Sequence, residues 1–280
     1  MASTMSDAKV SFGDVVAFYD AYDEAGRLEA LYFPLERART EELILRHLPA
    51  PPGVIHDVGG AAGAYAYWLA AKGYDVNLLD LSPKHVRQAE EAGKEKERPL
   101  ASIQRGDARA LPFAAASASA VLLLGPLYHL QERADRLSAL REAARVLRPG
   151  GWLFAAGISH FASFVDGLRT GDLLDDPAFA RIVENDLRDG RHRNVTRNLD
   201  YFTTAFFHRP EELHDEVSEA GFSEARVYAV EGPAFVLPDF AARWSRPEAR
   251  ETLLRFVRAI ETEPALLGAS PHLLACARRA

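Results

Sequence analysis

The chain has 280 residues, of which 48% are hydrophobic and 26% charged, a composition that supports a sizeable buried core and excludes global disorder. Its formal net charge of −7 argues against a general nucleic-acid binder, which usually presents a basic face. The single cysteine, Cys276, excludes an intramolecular disulfide framework and a zinc site built on several thiolates, and its apolar neighbours predict a buried side chain. No run approaches the roughly 18 apolar residues of a membrane span, and no secretory signal is visible, so we expect a soluble, cytoplasmic protein.

The first predicted unit is helical. Apolar residues recur at helical spacing from Asp14 to Leu48, and the proline-rich run that ends at Gly53 stops the pattern. A short apolar strand, "GVIHDVG", and a helix, "AYAYWLAAK", come next, followed by the strand "YDVNLLD". Ser82 then predicts a helix N-cap, with Pro83 at the first helical position.

Three further strands and a long helix complete the regular part. The predicted strands are "LASIQRGD", "SAVLLLGP" and "WLFAAGI", and the amphipathic helix "QERADRLSALREAARVL" precedes the last of them. The fully apolar fourth strand is typical of a parallel sheet covered on both faces. This alternation predicts a doubly wound, mostly parallel α/β sheet with right-handed crossovers.

Residues 159–207 interrupt the alternation. A stretch of roughly 50 residues is too long for an ordinary connection and predicts a substrate-side insertion or lid. Regular elements return with the helix "RPEELHDEVSEAGF", the strand "EARVYAV", the helix "PEARETLLRFVRAIE" and the terminal strand "HLLACARR". We therefore divide the chain into a helical cap (1–52), an α/β core (53–158 and 208–280) and the insertion (159–207).

The turn after the first predicted strand lacks large side chains. Residues 59–63 read G-G-A-A-G, which leaves space for a ligand close to the backbone, and the helix start that follows favours electron-rich groups. Asp80 ends the second strand, where a carboxylate can accept hydrogen bonds from both hydroxyls of a ribose. Together these features predict a nucleoside ligand.

The spacing of the glycines distinguishes a dinucleotide-binding turn from other turns that bind a nucleoside. A dinucleotide fingerprint places its third glycine at the sixth position from Gly59, whereas the sixth residue here is Ala64 and the glycine is fifth, at Gly63, which disfavours a nicotinamide-dependent oxidoreductase. From Asp57 the turn reads D-x-G-x-A-x-G, which resembles motif I (D-x-G-x-G-x-G) of the class I S-adenosylmethionine-dependent methyltransferases, with Ala61 in place of a glycine. Later segments resemble further motifs of that family in the same order: "LLDLS", "RGDARALPF", "VLLLGPLYHL", "EAARVLRPGGWLF" and "FHRPEELHDEVSEAGF".

This resemblance covers the chain from about Asp14 onwards and is to the small-molecule methyltransferases common in actinobacterial metabolism. It implies a Rossmann-like, seven-stranded, mostly parallel sheet with an antiparallel terminal strand, and S-adenosyl-L-methionine as the cofactor. It also implies that Asp80 binds the ribose, that Asp107 meets the adenine amino group and that Ala108 supplies a backbone donor. The cofactor-binding residues that it implies are Asp57, Gly59, Gly60, Ala61, Gly63, Asp80, Leu81, Asp107, Ala108, Leu124, Gly125, Tyr22 and Arg39, the last as a partner of the cofactor carboxylate.

The reaction implied is methyl transfer to an oxygen, nitrogen or carbon atom of a small metabolite. His129 follows the fourth strand and is the candidate general base, because its side chain titrates near neutral pH; a packing or capping role is an equal alternative. Tyr19, Tyr128 and His208 are the candidate acceptor-binding residues. Tyr19 and Tyr22 have two interpretations: they close the cofactor site against water, or they belong to the hydrophobic core.

Several other interpretations stay open at this stage. His160, His192 and His208 fall in or beside the insertion but lack the close spacing of metal ligands, so no metal is predicted. The same nucleoside site would suit an S-adenosylmethionine-binding protein with a non-methylating role. The N-terminal helix would also suit a homo-oligomer, whereas neither nucleic acid nor a membrane is an expected partner.

Overall fold

Five parallel strands form the centre of the fold in a computed structural model that describes residues 33–194, 196 and 198–280. The strands are β1 (Val54–Val58), β2 (Asp75–Asp80), β3 (Ser102–Arg105), β4 (Ala118–Leu123) and β5 (Leu147–Ser159). Their order is β3-β2-β1-β4-β5, and every neighbouring pair is parallel. The predicted doubly wound arrangement is therefore confirmed.

Helices connect these strands and cover both faces of the sheet. Ser82 caps one of them as predicted, because its hydroxyl accepts the N–H groups of Lys84 and His85, with Pro83 at the first helical position. The helices up to β5 are α1 (Phe33–His47), α2 (Ala64–Ala71), α3 (Pro83–Gly93), α4 (Pro126–His129) and α5 (Arg133–Val146).

Two hydrophobic clusters pack on opposite faces of the sheet. Successive residues of β4 alternate between them, since Val121 and Leu123 belong to one cluster and Leu122 to the other. All six residues of β4 are buried, as the uninterrupted apolar run predicts. The sheet is thus fixed from both sides, which gives the carboxyl ends of its strands a rigid base.

Antiparallel strands extend the sheet beyond β5. The terminal strand β9 (His272–Arg279) pairs antiparallel with β5 and with β8 (Phe222–Ala229). The order β3-β2-β1-β4-β5-β9-β8 contains the seven expected strands, with the terminal strand antiparallel as expected, within a sheet of nine strands in the described residues. Two short strands, β6 (Arg191–His192) and β7 (Ala205–His208), pair with each other, and β7 also pairs with the end of β5. Cys276 of β9 is buried, as predicted.

Residues 159–207 contain more regular structure than the sequence pattern predicts. They form the helices α6 (Ala162–Thr170), α7 (Asp172–Asp175) and α8 (Pro177–Asp189) before β6. The remaining helices are α9 (Pro210–Glu219), α10 (Phe240–Trp244), α11 (Pro247–Ile260) and α12 (Pro264–Leu267). None of the helices in the described ranges is both long and apolar enough to span a membrane.

Candidate active site

A cavity of about 780 Å³, open to solvent, lies at the carboxyl ends of β1, β2 and β4. Ligands of open α/β sheets bind at this edge, where the strand order reverses. The cavity brings together nine of the predicted residues: Gly59, Ala61, Asp80, Leu81, Asp107, Ala108, Gly125, Tyr128 and His129. It also includes residues that the sequence analysis did not select: Val58, Leu79, Ser82, His85, Gly106, Pro126 and Leu130.

The turn between β1 and α2 needs its glycines for two different reasons. Gly59 has a φ of +74°, and a Cβ there would lie 2.7 Å from the Pro126 ring. At Gly60 a Cβ would lie 2.7 Å from Oδ2 of Asp57. Any side chain at either position would therefore collide with a neighbour, and the turn stays narrow enough for a ligand to approach its backbone.

Ala61 shows how the turn tolerates its departure from the motif. Its φ is +48°, in the left-handed region where glycine is the usual residue. Its N–H donates to Oδ2 of Asp80 at 2.9 Å. The methyl group is small enough to line the cavity, and this hydrogen bond joins the turn to the end of β2.

Asp80 is held from three directions and is 6% exposed. Besides Ala61, the N–H of Ser82 donates to Oδ1 at 2.8 Å, and Nδ1 of His85 lies 3.2 Å from the same oxygen. A carboxylate has about four lone-pair sites, so capacity remains for a donor from the cavity. The buried carboxylate opposite a bare turn therefore fits a ribose.

Asp57 lies behind the turn and does not line the cavity. It is 2% exposed, and within the described residues its Oδ2 has no hydrogen-bond partner. Burial, reinforced by the nearby charge of Asp80, raises the pKa of the Asp57 carboxyl to about 7. Gly60 and Gly63 also lie outside the cavity lining, and their role is to shape the turn.

Asp107 and Ala108 follow β3 at the opposite wall of the cavity. The guanidinium and the N–H of Arg109 donate to the Asp107 carboxylate, with an Nη2–Oδ2 distance of 2.7 Å. Although partial burial raises the pKa of Asp107, these hydrogen bonds and the positive charge of Arg109 outweigh it and lower that pKa. The carboxylate is thus kept ionised at the position expected for an adenine contact.

His129 ends the short helix α4 and faces the cavity beside Tyr128. The two rings are 4.7 Å apart, and the Phe202 ring lies 6.0 Å from His129 on the side of the insertion. Burial lowers the pKa of His129 to about 4, even though a hydrogen bond to the backbone of Thr204 acts in the opposite direction. The imidazole is therefore neutral at pH 7, but its lowered pKa makes it a weaker base than the near-neutral histidine that the sequence predicts.

Three predicted residues lie elsewhere. Arg39 is completely buried, and its guanidinium is paired with Glu42 and Glu261, so it does not reach the cavity. His208 is also completely buried, with its Nε2 3.4 Å from Glu216. Leu124 packs in the hydrophobic cluster that contains α1 and α2. Tyr19 and Tyr22 lie outside the described residues.

Hydrogen bonds of the packed interior explain the position of His208. Although burial raises the pKa of Glu216, hydrogen bonds from His208 and from Arg136 lower it to about 2. Arg136 lies on α5 and Glu216 on α9, with an Nη2–Oε1 distance of 2.7 Å. His208 thus completes a buried polar contact between two helices and the sheet.

The other histidines of the insertion do not converge on the cavity. His192 contacts Asp186, and Nε2 of His160 lies 3.2 Å from the carbonyl of Leu187. Among the described residues, one group has ligand atoms close enough for a metal ion, within 4.8 Å of one another: Glu36, Glu231 and His272. It lies apart from the cavity lining, and Nδ1 of His272 is 2.6 Å from Glu231.

Comparison with known proteins agrees with this geometry. Residues 56–155 match the family described as "Methyltransferase domain". A demethylmenaquinone methyltransferase of Renibacterium salmoninarum is 33% identical over 150 residues, or 53% of this chain and 57% of that relative. The chain therefore spans just over half the length of this curated relative.

Solved methyltransferases have a similar fold. Phosphoethanolamine N-methyltransferase 2 of Haemonchus contortus has a TM-score of 0.60 at 17% identity, over 97% of this chain and 61% of that one. An S-adenosylmethionine-dependent methyltransferase of Mesorhizobium loti has a TM-score of 0.55 at 20% identity, over 89% and 98% of the two chains. Residues 56–155 thus match a methyltransferase domain, and the sheet order and motif series of the chain resemble those of the class I S-adenosylmethionine-dependent methyltransferases.

Proposed function

We propose that the chain transfers a methyl group from S-adenosylmethionine to a small-molecule acceptor. The observation that carries this proposal is the position of the Asp80 carboxylate, which lines the cavity opposite the bare turn at residues 59–63 and already binds the N–H of Ala61. When bound, the cofactor supplies a methyl group activated by its sulfonium. The protein's own task is then to bind, orient and exclude water.

The cofactor roles divide along the strand ends. Asp80 accepts a hydrogen bond from a ribose hydroxyl, and the N–H of Ala108 and the carboxylate of Asp107 bind the adenine. Leu81 and Gly125 provide the apolar walls and the space between these groups. Arg39 is not part of this proposal, because its guanidinium is already committed to two glutamates.

His129 is the proposed general base for an acceptor that must lose a proton. It is neutral at pH 7 and faces the cavity, so its imidazole can take the proton as the acceptor attacks the methyl carbon. Tyr128 forms the adjoining wall of the acceptor pocket. His208, which lies away from the cavity, is not retained as an acceptor-binding residue.

The acceptor itself is proposed only as a class. The relative from Renibacterium salmoninarum is a demethylmenaquinone methyltransferase, which supports a small acceptor rather than a macromolecule. The atom that receives the methyl group is oxygen, nitrogen or carbon. A homo-oligomer and a cytoplasmic location stay predictions of the sequence.

Transfer of a labelled methyl group tests this function. The protein would be incubated with S-adenosylmethionine labelled on the methyl group and with a set of phenols, quinols, amines and carbon acids. We expect label to appear in a small-molecule product. Asp80→Asn should abolish most of this transfer, whereas Asp75→Asn, an exposed acid at the other end of the same strand, should not.

Calorimetry with S-adenosylhomocysteine, done beside the labelling experiment, distinguishes methyl transfer from a non-methylating role. Cofactor binding without any labelled product would favour the non-methylating role. If S-adenosylhomocysteine does not bind in calorimetry at all, the proposed function is wrong.

A further inference from the structure

His85 lies beside Asp80 at the start of α3 and lines the same cavity. It is 4% exposed, and its Nδ1 lies 3.2 Å from Oδ1 of Asp80. A carboxylate can only accept hydrogen bonds when it is ionised, so Nδ1 of the imidazole is the donor. His85 therefore acts directly on the carboxylate that we propose to bind the ribose.

The backbone around His85 is fixed independently of its ring. Ser82 Oγ accepts the N–H of His85 at 3.3 Å, and the N–H of Ser82 in turn donates to Oδ1 of Asp80 at 2.8 Å. Asp80, Ser82 and His85 thus form a closed set of hydrogen bonds across the β2–α3 turn. The backbone that carries the imidazole and the carboxylate that it contacts are therefore both fixed, which restricts rotation of the ring.

The three donors to Asp80 come from different sides. Ala61 approaches Oδ2 from the glycine turn, whereas Ser82 and His85 approach Oδ1 from the helix start. Without the imidazole, the carboxylate would be held by two backbone donors instead of three, with Ser82 alone on Oδ1 and Ala61 on Oδ2, so its orientation would be less tightly defined. A group that is already oriented binds its ligand without the cost of being ordered.

We propose that His85 is a positioning residue for the nucleoside: acting through Asp80, it orients the carboxylate so that the remaining lone pair, on Oδ2, faces the ribose diol. This inference rests on the proposed function, because it needs an adenosyl ligand in the cavity. It goes further in assigning to His85 the selectivity for a ribose over a 2′-deoxyribose.

The test measures the affinity of two probes, S-adenosylhomocysteine and its 2′-deoxy analogue, by calorimetry. His85→Leu removes the donor at similar size, and His85→Asn retains a donor at nearly the same position. We expect His85→Leu to weaken S-adenosylhomocysteine binding about 10-fold, the effect of one lost hydrogen bond to a charged group, and to affect the 2′-deoxy analogue much less. His85→Asn should restore most of the affinity and of the selectivity.

A second comparison shows whether the effect passes through Asp80. In an Asp80→Asn background, His85→Leu should cause no further loss, because the oriented carboxylate is already gone. Equal losses for both probes, or the same loss in both backgrounds, would assign His85 a purely structural role and overturn the inference. If His85→Leu does not fold, His85→Gln takes its place, since it moves the donor by one bond and should reduce selectivity in the same way.

Failure of the underlying function gives a different result. The unmodified chain would then bind neither probe, whereas failure of the His85 inference alone leaves S-adenosylhomocysteine binding intact. The two outcomes are read from the same titrations.

Discussion

At the scale of single residues, the turn at 59–63 combines a sequence departure with a backbone that usually requires glycine. The motif alone showed that Ala61 stands where the family has glycine, but not that its φ is +48°. Nor could the sequence show that its N–H binds Asp80, 19 positions away. The left-handed conformation is therefore strained, but it directs the N–H of Ala61 at the Asp80 carboxylate.

Replacing Ala61 with glycine should relieve that strain. We expect Ala61→Gly to raise the free energy of unfolding by up to about 1 kcal/mol, because a left-handed alanine costs roughly that much more than glycine. Chemical denaturation monitored by circular dichroism measures the change. The control is Ala62→Gly, at a residue with negative φ, which should lower the stability by about 0.5 kcal/mol. Equal destabilisation by both changes would contradict the account.

His129 carries the second prediction at this scale. Once an acceptor is identified, His129→Gln should reduce turnover about 100-fold if the imidazole accepts the proton. Its effect on S-adenosylhomocysteine affinity should be small. His214→Gln, on the exposed face of α9, is the matched control and should leave turnover unchanged. Turnover of His129→Gln near that of the unmodified chain would leave only the packing role for this histidine.

At the scale of elements, sequence patterns predicted the sheet well and the insertion poorly. The alternation of apolar runs with helical segments predicted all seven strands of this order, most clearly β4, which is buried throughout. The signals for α8 were also present: Asp176 caps it, Pro177 begins it and Gly190 follows it with a φ of +69°. They were outweighed by the mixed charge of the surrounding sequence.

Interior partners explain why Arg39 and His208 lie away from the cavity. Arg39 pairs with Glu261, 222 positions away, and no local sequence pattern predicts that contact. His208 is a predicted acceptor-binding residue, yet it lies in the interior, where its Nε2 contacts Glu216. His85 was missed for the opposite reason, since its target is only five residues away but a histidine at a helix start carries no specific signal.

A buried polar contact holds the insertion together. Oδ2 of Asp186 on α8 accepts hydrogen bonds from Ser163 on α6 at 2.5 Å and from Nδ1 of His192 on β6 at 2.8 Å. All three residues are buried. Since buried donors lose their partner when the carboxylate is removed, this contact should decide whether the helices of the insertion stay packed.

Asp186→Ala should therefore loosen the insertion locally. We expect a loss of about 1–3 kcal/mol in its stability, the usual cost of buried groups left without partners. Limited proteolysis should then cut first between residues 160 and 204. Glu184→Ala, an exposed position on the same helix, should leave the digestion unchanged. Protection equal to that of the unmodified chain would show that apolar packing alone holds these helices.

At the scale of the whole molecule, buried titratable groups link stability to pH. Burial lowers the pKa of His56 to about 4, and the same cause lowers that of His129 to about 4. Such a histidine binds a proton more readily in the unfolded chain, whose value is near 6.5. Its contribution to stability is therefore complete above pH 6.5 and is lost as the pH falls towards 4.

His56 offers a clean test, because its ring lies 3.8 Å from Phe113 and away from the cavity lining. Between pH 7 and pH 5 the free energy of unfolding should fall, and it should fall less in His56→Gln, which cannot take up a proton. Denaturant titrations at the two pH values measure the difference. An identical fall in both proteins would show that His56 does not contribute to acid sensitivity.

Asp57 acts in the opposite sense in the same range. Since its pKa is raised to about 7, the folded state holds a proton that the unfolded state releases near pH 4, and its contribution to stability decreases as the pH rises from 4 to 7. Comparing Asp57→Asn with the unmodified chain isolates this term. We expect the free energy of unfolding of Asp57→Asn to change less between pH 4 and pH 7 than that of the unmodified chain.

The most direct measurement of the central claim is a crystal structure of the chain with S-adenosylhomocysteine. The account predicts an adenosyl group against the turn at 59–63, with the ribose hydroxyls within hydrogen-bonding distance of the Asp80 carboxylate and the sulfur directed towards His129. A ligand bound elsewhere, or one with its ribose turned away from Asp80, would contradict it.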